Sequence, residues 1–362
     1  MRVAVLSTSY PRDRDDWAGH FVRGLARWLR QAGHGVSVIC AGAGSVRTRT
    51  DEDGIEVLRL PGRGLFYRGG APEALSRAAA WAAAVPFCAD LSLRAASLLR
   101  RSDALVTHWL LPCGVLGCLL ARGRPHLAVA HSGDVHLLER LGRPALRAAA
   151  RLLAQSGAKL ACASAPLLDR LLVAARPRDR ARLLCRTAIV PIGIDVLALR
   201  PRRARAMVPG RLVVAFLGRR SPIKGLAVLR RAAGGLFGVH IRVADGGVVG
   251  ERKRALLEEA DVLCVPSLEL PDGRTEGTPT VVLEGMAAGL AIVASRTGGI
   301  PNVVREGATG LLVVPGDADG LRGALVRLRD DIELRGRLSV ASLAEAGRHD
   351  WSRVGPALAS LL

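Results

Sequence analysis

The stretch Asp272-Gly-Arg-Thr-Glu-Gly-Thr-Pro-Thr-Val-Val-Leu-Glu-Gly-Met-Ala-Ala-Gly-Leu-Ala-Ile-Val-Ala-Ser295 has the pattern of a loop, a helix and a strand in succession. Thr278 is a favoured N-cap and proline is favoured at the first helical position, so we expect a helix from about Pro279. Gly289 fits a C-cap, and the short apolar run 290–294 fits a buried strand. This order is half of a βαβ unit, which indicates an α/β fold.

Two carboxylates bracket the expected helix start. Glu276 lies on the loop, and Glu284 lies about 8 Å along the helix axis at about 1.5 Å per residue. Between them, the free N–H groups of the first helical turn, at Thr280 and Val281, and the positive end of the helix dipole form an anion site. A nucleoside diphosphate sugar fits this plan, with its diphosphate at the helix start, its ribose on Glu284 and its sugar near Glu276. Alternatively, Glu276 accepts hydrogen bonds from the loop and Glu284 is an exposed helix residue.

Size and charge limit the class of protein. The 362 residues are enough for two domains, each with its own core. The formal net charge of +20 favours anionic partners: nucleic acid, a membrane surface or a charged ligand. Aromatic residues make up only 3% of the chain, which argues against a base-stacking surface, so no nucleic acid is expected. An anionic membrane surface and a plain solvated basic surface both remain open.

Three features of the sequence indicate where in the cell the protein is found: its cysteines, its first residues and the length of its apolar runs. No CxxC pair occurs, so the seven cysteines are interpreted as small core residues in a reducing compartment. No His, Cys and Asp cluster has metal-ligand spacing, and no metal is expected. The apolar run at residues 1–7 is too short for a signal peptide. The runs 78–89 and 115–121 are shorter than the roughly 20 residues of a spanning helix. We therefore expect a cytoplasmic protein, with any membrane contact peripheral, on the inner leaflet.

Short apolar runs alternate with helical patterns along the chain, which predicts doubly wound parallel sheets. An Arg- and Pro-rich segment, 197–210, is the expected linker between domains 1–196 and 211–348, and the helical pattern 349–362 is expected to cross back to the first domain. No GxGxxG follows the first strand, which argues against a dinucleotide-binding dehydrogenase. Strands are predicted at 3–7, 36–40, 55–60, 104–107, 127–131, 160–163, 188–191, 212–217, 239–244, 262–265, 290–294 and 311–314. Helices are predicted at 21–32, 73–99 with a break at Pro86, 113–121, 145–154, 165–174, 226–233, 251–259, 279–288 and 320–328.

Further candidate residues follow other predicted strands. Arg219 and Lys224 come after the strand at 212–217, and cations at that sheet edge are suited to a phosphate. A surface arginine in an arginine-rich chain is the simpler interpretation, but lysine is rare here.

In the first half, Gly19 begins the first long helix, where a missing side chain lets a ligand approach; alternatively it only supplies a turn dihedral. His131 and Asp134 follow one strand, and His108 ends another. The carboxyl edge of the sheet is where ligands bind in such folds. A solitary histidine is more often structural.

In their order along the chain, these motifs resemble the retaining glycosyltransferases of family 4, which have the GT-B fold of two Rossmann-like domains facing a cleft. The resemblance covers nearly the whole chain. It rests on Gly19-His-Phe-Val22, Gly33-His-Gly-Val36, His108-Trp-Leu-Leu-Pro112, His131-Ser-Gly-Asp134, Pro191-Ile-Gly-Ile-Asp195, Gly218-Arg219 with Lys224-Gly225, Ala260-Asp-Val-Leu-Cys-Val-Pro-Ser267, the segment from Glu276 to Glu284, and Gly298-Gly-Ile-Pro301.

The resemblance implies a role for each matching residue. Arg219 and Lys224 would neutralise the donor diphosphate, and Glu284 would bind the ribose hydroxyls. Glu276 would contact the donor sugar at the anomeric carbon, and His131 would line the sugar and acceptor side. Gly19 would let the backbone of the first domain approach the diphosphate.

The resemblance also implies an activity: metal-independent transfer of a sugar, with retention, from a nucleoside diphosphate sugar to a saccharide or lipid-linked acceptor. Among the family members, the chain is most similar to bacterial exopolysaccharide and lipopolysaccharide enzymes. One difference is the interval between Lys224 and Asp261, where the family usually has a further strand and helix. This shortened second domain leaves open an alternative: a catalytically weak member that serves as a scaffold in a polysaccharide assembly complex.

Overall fold

The computed structural model describes residues 1–13, 16, 18–62, 66, 78–202, 206–244, 248, 250–271, 273, 275–277 and 279–362. The predicted N-cap Thr278, the first loop residue Asp272, the turn 245–247 and the predicted helical residues 73–77 lie outside the described residues. The chain forms two compact units, one of Met1–Gly193 with Val354–Leu362 and one of Ile194–Arg353.

The first unit is built on an eight-stranded sheet with the order β3-β4-β2-β1-β5-β6-β7-β8. All of its pairings are parallel except β3 with β4. The prediction of a wholly parallel sheet is therefore wrong at this edge. Strand β3 could not be predicted from apolar periodicity because its residues are polar and almost all exposed. The strands are β1 Arg2–Leu6, β2 Gly35–Gly42, β3 Thr48–Glu52, β4 Ile55–Pro61, β5 Ala104–His108, β6 His126–Ala130, β7 Lys159–Cys162 and β8 Thr187–Ile189.

Helices connect these strands, and the segment Leu110–Gly114 that precedes one of them is kinked at Leu111, whose backbone is extended. The helices are α1 His20–Gln31, α2 Ala78–Leu99, α3 Val115–Leu120, α4 Ser132–Arg140, α5 Arg143–Ser156, α6 Ala165–Leu172 and α7 Pro177–Leu184. Helices α4 and α7 were not predicted. The last residues of the chain also belong to this unit, where Gly355 lies against the ring of Trp28.

Helix α2 differs from its prediction because it runs unbroken through Pro86. Proline removes one hydrogen bond, to the carbonyl of Ala82, and both residues are exposed, so water can satisfy that carbonyl. Unbroken, the segment Ala80–Leu99 is long and apolar enough to cross a membrane by length and composition, although only a third of it is buried. The expectation that every apolar run is too short to span is therefore wrong here. Core helices share these properties, and α2 packs against β2 and β4.

The second unit has a five-stranded, wholly parallel sheet with the order β10-β9-β11-β12-β13. Helices cover both faces of the three central strands, β9, β11 and β12, whose residues are almost all apolar and buried. The strands are β9 Leu212–Leu217, β10 Val239–Ala244, β11 Val262–Val265, β12 Ala291–Ser295 and β13 Gly310–Val313. The helices are α8 Val196–Leu199, α9 Leu226–Ala233, α10 Gly250–Glu259, α11 Thr280–Ala287, α12 Ala318–Asp330 and α13 Ile332–Ala346, of which α8 and α13 were not predicted. The last helix, α14 Trp351–Ala359, begins in this unit and continues into the first, to which residues 354–362 belong.

The doubly wound α/β class is confirmed for both units, and each predicted strand lies within two residues of an observed one. The shortened interval is also present: the described residues between Lys224 and Asp261 form only α9, β10 and α10. Strand β10 consequently lies at the edge of the sheet, and its His240 and Arg242 side chains are exposed.

Candidate active site

Lys224 lies in a tight turn after β9. The turn Pro222–Lys224 is 3₁₀-helical and is followed by Gly225 in the left-handed region, at φ +69°. A Cβ on Gly225 would lie 1.7 Å from the carbonyl oxygen of Pro266, so only glycine fits. Since Pro266 directly follows β11, this contact fixes Lys224 at the carboxyl ends of two neighbouring strands.

Glu276 is the partner of Lys224. The Lys224 Nζ forms an ion pair with Glu276 Oε1, and the side chains are only 19% and 11% exposed. The other oxygen, Oε2, accepts a hydrogen bond of 3.0 Å from Ser267 Oγ. The two residues that the sequence assigned to the diphosphate and to the sugar are therefore brought together. Ser267 was not predicted as a functional residue, and it fixes the orientation of the carboxylate.

Two glycines hold the backbone of Glu276. Gly298 has φ +56°, and a Cβ there would lie 1.7 Å from the carbonyl oxygen of Glu276. The N–H of Gly299 donates to the carbonyls of Glu276 and Gly277, at 3.4 and 3.3 Å. The Gly-Gly-Ile-Pro motif thus serves as a support for the loop that carries Glu276.

Glu284 is 5% exposed and lies within α11, so it is not an exposed helix residue. Its Oε1 accepts from Lys253 Nζ at 2.6 Å, and this lysine side chain is itself only 18% exposed. A buried carboxylate requires such compensation. The rarity of lysine in this chain is one signal that could have indicated Lys253, but its partner lies 31 residues further along the chain and could not be inferred from spacing.

The start of α11 is open to an anion. The helix begins at Thr280, one position after the predicted start, so that Pro279 is the N-cap residue, and it provides no side-chain cap. Thr280 and Val281, the first helical residues, are half-buried. Their N–H groups have no acceptor within the helix, because they come before its first i to i−4 hydrogen bond. This is the arrangement that binds phosphate at helix N-termini. Arg219 is exposed after β9, and its role as a phosphate ligand stays a prediction.

In the first unit, the predicted histidines contact one another. His131 directly follows β6, and its Nε2 lies 3.2 Å from Nδ1 of His108, the last residue of β5. Burial lowers the pKa of His131 to about 3 and that of His108 well below its ordinary value. Both imidazoles are therefore neutral at pH 7, and this pair acts as a hydrogen-bonding group rather than as a general base that titrates near neutrality.

Two aromatic side chains, Phe21 and Trp109, surround this pair. The ring centroids of Phe21 and Trp109 lie 4.8 and 4.9 Å from that of His131. Trp109 has φ +65°, a conformation that is strained for a bulky residue. Both rings are partly exposed, and such apolar faces suit the C–H face of a sugar.

Asp134 lies beneath the cluster and is 2% exposed. Its carboxylate accepts backbone N–H groups from Leu110, from His131 at 3.0 Å and from Val135 at 2.8 Å. Burial raises its pKa to about 7, against the opposing effect of these hydrogen bonds. Asp134 thus joins the start of α4 to the chain after β5, and its proposed contact with an acceptor stays a prediction.

Gly19 is the N-cap residue of α1 and has φ +68°. A Cβ there would lie 2.4 Å from the carbonyl oxygen of Ser9, so the local backbone alone requires glycine. The structural explanation of Gly19 is therefore sufficient, and ligand approach at this position stays a prediction. No group of three metal-ligating side chains is found among the described residues.

Family models match both halves of the chain. Residues 18–187 match the model described as a glycosyl transferase 4-like domain, and residues 224–331 match that of glycosyl transferases group 1. Among characterised relatives, the phosphatidyl-myo-inositol mannosyltransferase of Mycolicibacterium smegmatis is 33% identical over 195 residues, which are 46% of this chain and 48% of that protein. The chain thus spans about half the length of this relative. The MMP alpha-(1->4)-mannosyltransferase of Mycolicibacterium hassiacum is 27% identical over 91% of this chain and 90% of its own.

Solved structures share the whole fold. Sucrose-phosphate synthase from Thermosynechococcus elongatus has a TM-score of 0.74 at 19% identity, over 100% of this chain and 98% of its own. HepE from Anabaena, in complex with UDP, has a TM-score of 0.67 at 16% identity over 99% of both chains. The fold is therefore GT-B, and together with the family models and relatives it supports a glycosyltransferase.

Proposed function

We propose that this chain, which matches both glycosyltransferase domain models and has the GT-B fold, transfers a sugar with retention from a nucleoside diphosphate sugar to a saccharide or lipid-linked acceptor. The observation that carries the proposal lies in the second unit. Two largely buried ion pairs flank the start of α11: Lys224 with Glu276 on the loop before the helix, and Lys253 with Glu284 within it.

The donor diphosphate is proposed to bind the N–H groups at the start of α11, with Lys224 and Arg219 as its cations. As the bond from the anomeric carbon to the phosphate oxygen breaks, negative charge collects on that oxygen. The helix dipole and Lys224 stabilise this charge more strongly than they stabilise the intact donor, which lowers the barrier. Because these groups supply the positive charge, we propose that the reaction is metal-independent.

Glu276 is proposed to contact the sugar beside its anomeric carbon. Its carboxylate is oriented by Ser267 and by Lys224, so it can stabilise the positive charge that develops on the sugar ring. Retention follows if the acceptor hydroxyl attacks the same face from which the diphosphate departs, with the departing phosphate oxygen taking the hydroxyl proton. Glu284, with Oε1 held by Lys253, would accept the ribose hydroxyls on its second oxygen.

We propose that residues of the first unit bind the acceptor. Neutral His131 and His108, with Phe21 and Trp109, would contact the acceptor and the sugar by hydrogen bonds and apolar faces. For the biological setting, we propose cell-surface polysaccharide or glycolipid synthesis at the cytoplasmic face of an anionic membrane. One of the relatives is a phosphatidyl-myo-inositol mannosyltransferase, and this similarity supports a lipid-linked acceptor.

The test is a donor screen. The purified protein is incubated with a panel of uridine, guanosine and adenosine diphosphate sugars and a lipid extract, and released nucleotide and glycosylated lipid are measured. Turnover of one donor is the expected result. Binding of a donor without turnover would favour the alternative, a catalytically weak scaffold component, and failure of the folded protein to bind any donor would contradict the proposal.

A further inference from the structure

Helix α2 exposes an apolar stripe, which we call the outer face: Trp81, Val85, Ala89 and Leu93. Residues four apart lie on the same side of a helix. Trp81, Val85 and Leu93 are 41%, 64% and 71% exposed, and Ala89 is exposed as well. The opposite side of α2 is buried against β2 and β4. A helix that is already anchored on one side thus presents large apolar side chains to the surroundings on the other.

A basic cavity of about 260 Å³ adjoins the same helix. We call it the arginine pocket, because four of the side chains that line it are arginines: Arg47, Arg49, Arg94 and Arg101. In the described part of the chain, two carboxylates pair with these four cations. Asp90 is shared by Arg47 and Arg94, and Glu56 is shared by Arg49 and Arg101.

The pocket therefore keeps a formal charge of +2 and has spare donors. Each guanidinium has five N–H groups, and its planar fork matches phosphate oxygens. Arg47 donates a hydrogen bond to Asp90 in the middle of α2. Its neighbour Val46, which is 72% exposed, therefore lies close to the same helix. Apolar surface and anion-binding groups are thus adjacent.

The topology sets the direction of this surface within the first unit. Parallel strands β4 and β5 run the same way, and α2 connects the end of β4, at Pro61, to the start of β5, at Ala104. Helix α2 therefore begins toward the carboxyl edge of the sheet and ends toward the amino edge. Trp81 and Val85 lie toward the edge at which β5 ends in His108.

We propose that the outer face of α2 and the arginine pocket together dock this protein on an anionic phospholipid membrane. The apolar side chains would enter the headgroup boundary while the guanidinium groups bind lipid phosphates, as in helices that lie in the membrane plane. The buried side of α2 packs on the sheet, so the helix lies on the membrane and does not cross it. A second copy of this chain is a poor occupant because two surfaces of the same positive charge repel each other. This inference rests on the proposed function, to which it adds the surface that meets a lipid-linked acceptor.

The experiment is sedimentation of the full chain with phosphatidylcholine vesicles, with and without phosphatidylglycerol, at low and high salt. The parent is expected to bind the anionic vesicles preferentially and to be released by salt. Val85→Asp with Leu93→Asp should weaken binding about tenfold per substitution, because apolar burial is lost and a like charge is added. Arg47→Gln with Arg94→Gln should remove most of the preference for phosphatidylglycerol. The matched control is Val340→Asp, on an equally exposed valine of α13, 73% exposed, which should bind like the parent.

Other outcomes would overturn the proposal. Equal binding by the parent and the Val85→Asp, Leu93→Asp variant would show that the outer face is not the docking surface, as would no binding by the parent. A dimer that this variant dissociates would assign the face to a second copy. Extraction from membranes by detergent only, and not by salt or alkali, would indicate a spanning helix. Nucleotide binding and thermal unfolding of each variant check folding and keep a failure here separate from a failure of the proposed transferase activity.

Discussion

The buried pair of Lys253 and Glu284 yields the sharpest prediction. Replacing Lys253 with methionine keeps the length of the side chain but removes the cation that lies 2.6 Å from Glu284 Oε1. Since the two side chains are 18% and 7% exposed, the carboxylate would stay largely buried and lose the cation beside it. Breaking such a pair by removing one partner costs about 3 kcal/mol of unfolding free energy.

The substitution should also weaken donor binding. If Glu284 accepts the ribose hydroxyls through Oε2, Lys253 keeps the carboxylate charged and correctly oriented. A charge-assisted hydrogen bond contributes about 1.5–3 kcal/mol, and about 1.4 kcal/mol corresponds to tenfold in affinity. We therefore expect nucleoside diphosphates to bind about 10- to 100-fold more weakly to the Lys253→Met variant.

Calorimetry with uridine, guanosine and adenosine diphosphates measures this affinity. Arg252→Met is the matched control, because Arg252 is an exposed cation one position earlier in the same helix. Lys253→Met and Glu284→Gln should be strongly non-additive when combined, since they remove the same interaction. Unchanged or tighter nucleotide binding by Lys253→Met, with Arg252→Met equal to the parent, would refute the positioning role.

Two further predictions concern stability. Gly298→Ala should destabilise the protein by about 2–3 kcal/mol, because a Cβ would overlap the carbonyl oxygen of Glu276. Gly323→Ala is the control and should not destabilise it, because no atom lies within 4 Å of a Cβ there. Equal melting temperatures of the two variants would contradict this prediction. Burial lowers the pKa of His126 to about 4 and that of His131 to about 3, so the unfolded chain takes up these protons at higher pH than the folded one. The contribution of these two histidines to stability should be complete above pH about 6.5 and should fall toward pH 4, by at most about 1.4 kcal/mol per pH unit for each histidine. Asp134, whose pKa burial raises to about 7, contributes in the opposite direction over this range, so the prediction concerns the difference between the parent and His126→Gln, which share Asp134. In denaturant titrations the stability of the parent relative to His126→Gln should decrease as the pH falls below about 6.5; a difference that does not change with pH would rule out this histidine.

Much of the fold could be predicted because the two units bury their strands on both faces. Apolar runs such as 212–217 and 262–265 are bounded by polar or glycine residues, and the observed strands have the same limits. The failures have local causes. Strand β3 is polar and takes its structure from pairing with β4, and α2 continues through Pro86 because its other side is held by the core.

The candidate site could be predicted in part, for a different reason. Residues at the ends of strands, such as Lys224 and His131, are placed by the topology, which the alternation of strands and helices reveals. Partners from other elements are not placed in this way. Lys253 meets Glu284 across two helices, and Ser267 and Trp109 take their positions from loop geometry that no spacing rule specifies.

The measurement that bears most directly on the proposed transfer is the turnover of a donor sugar by the parent and by Glu276→Ala, with donor binding measured on the same samples. If Glu276 stabilises the sugar as the diphosphate leaves, the variant should still bind the donor and should lose at least about two orders of magnitude in turnover, the loss typical of removing one such group. Turnover equal to that of the parent would contradict the role of Glu276 and, with it, the proposed mechanism.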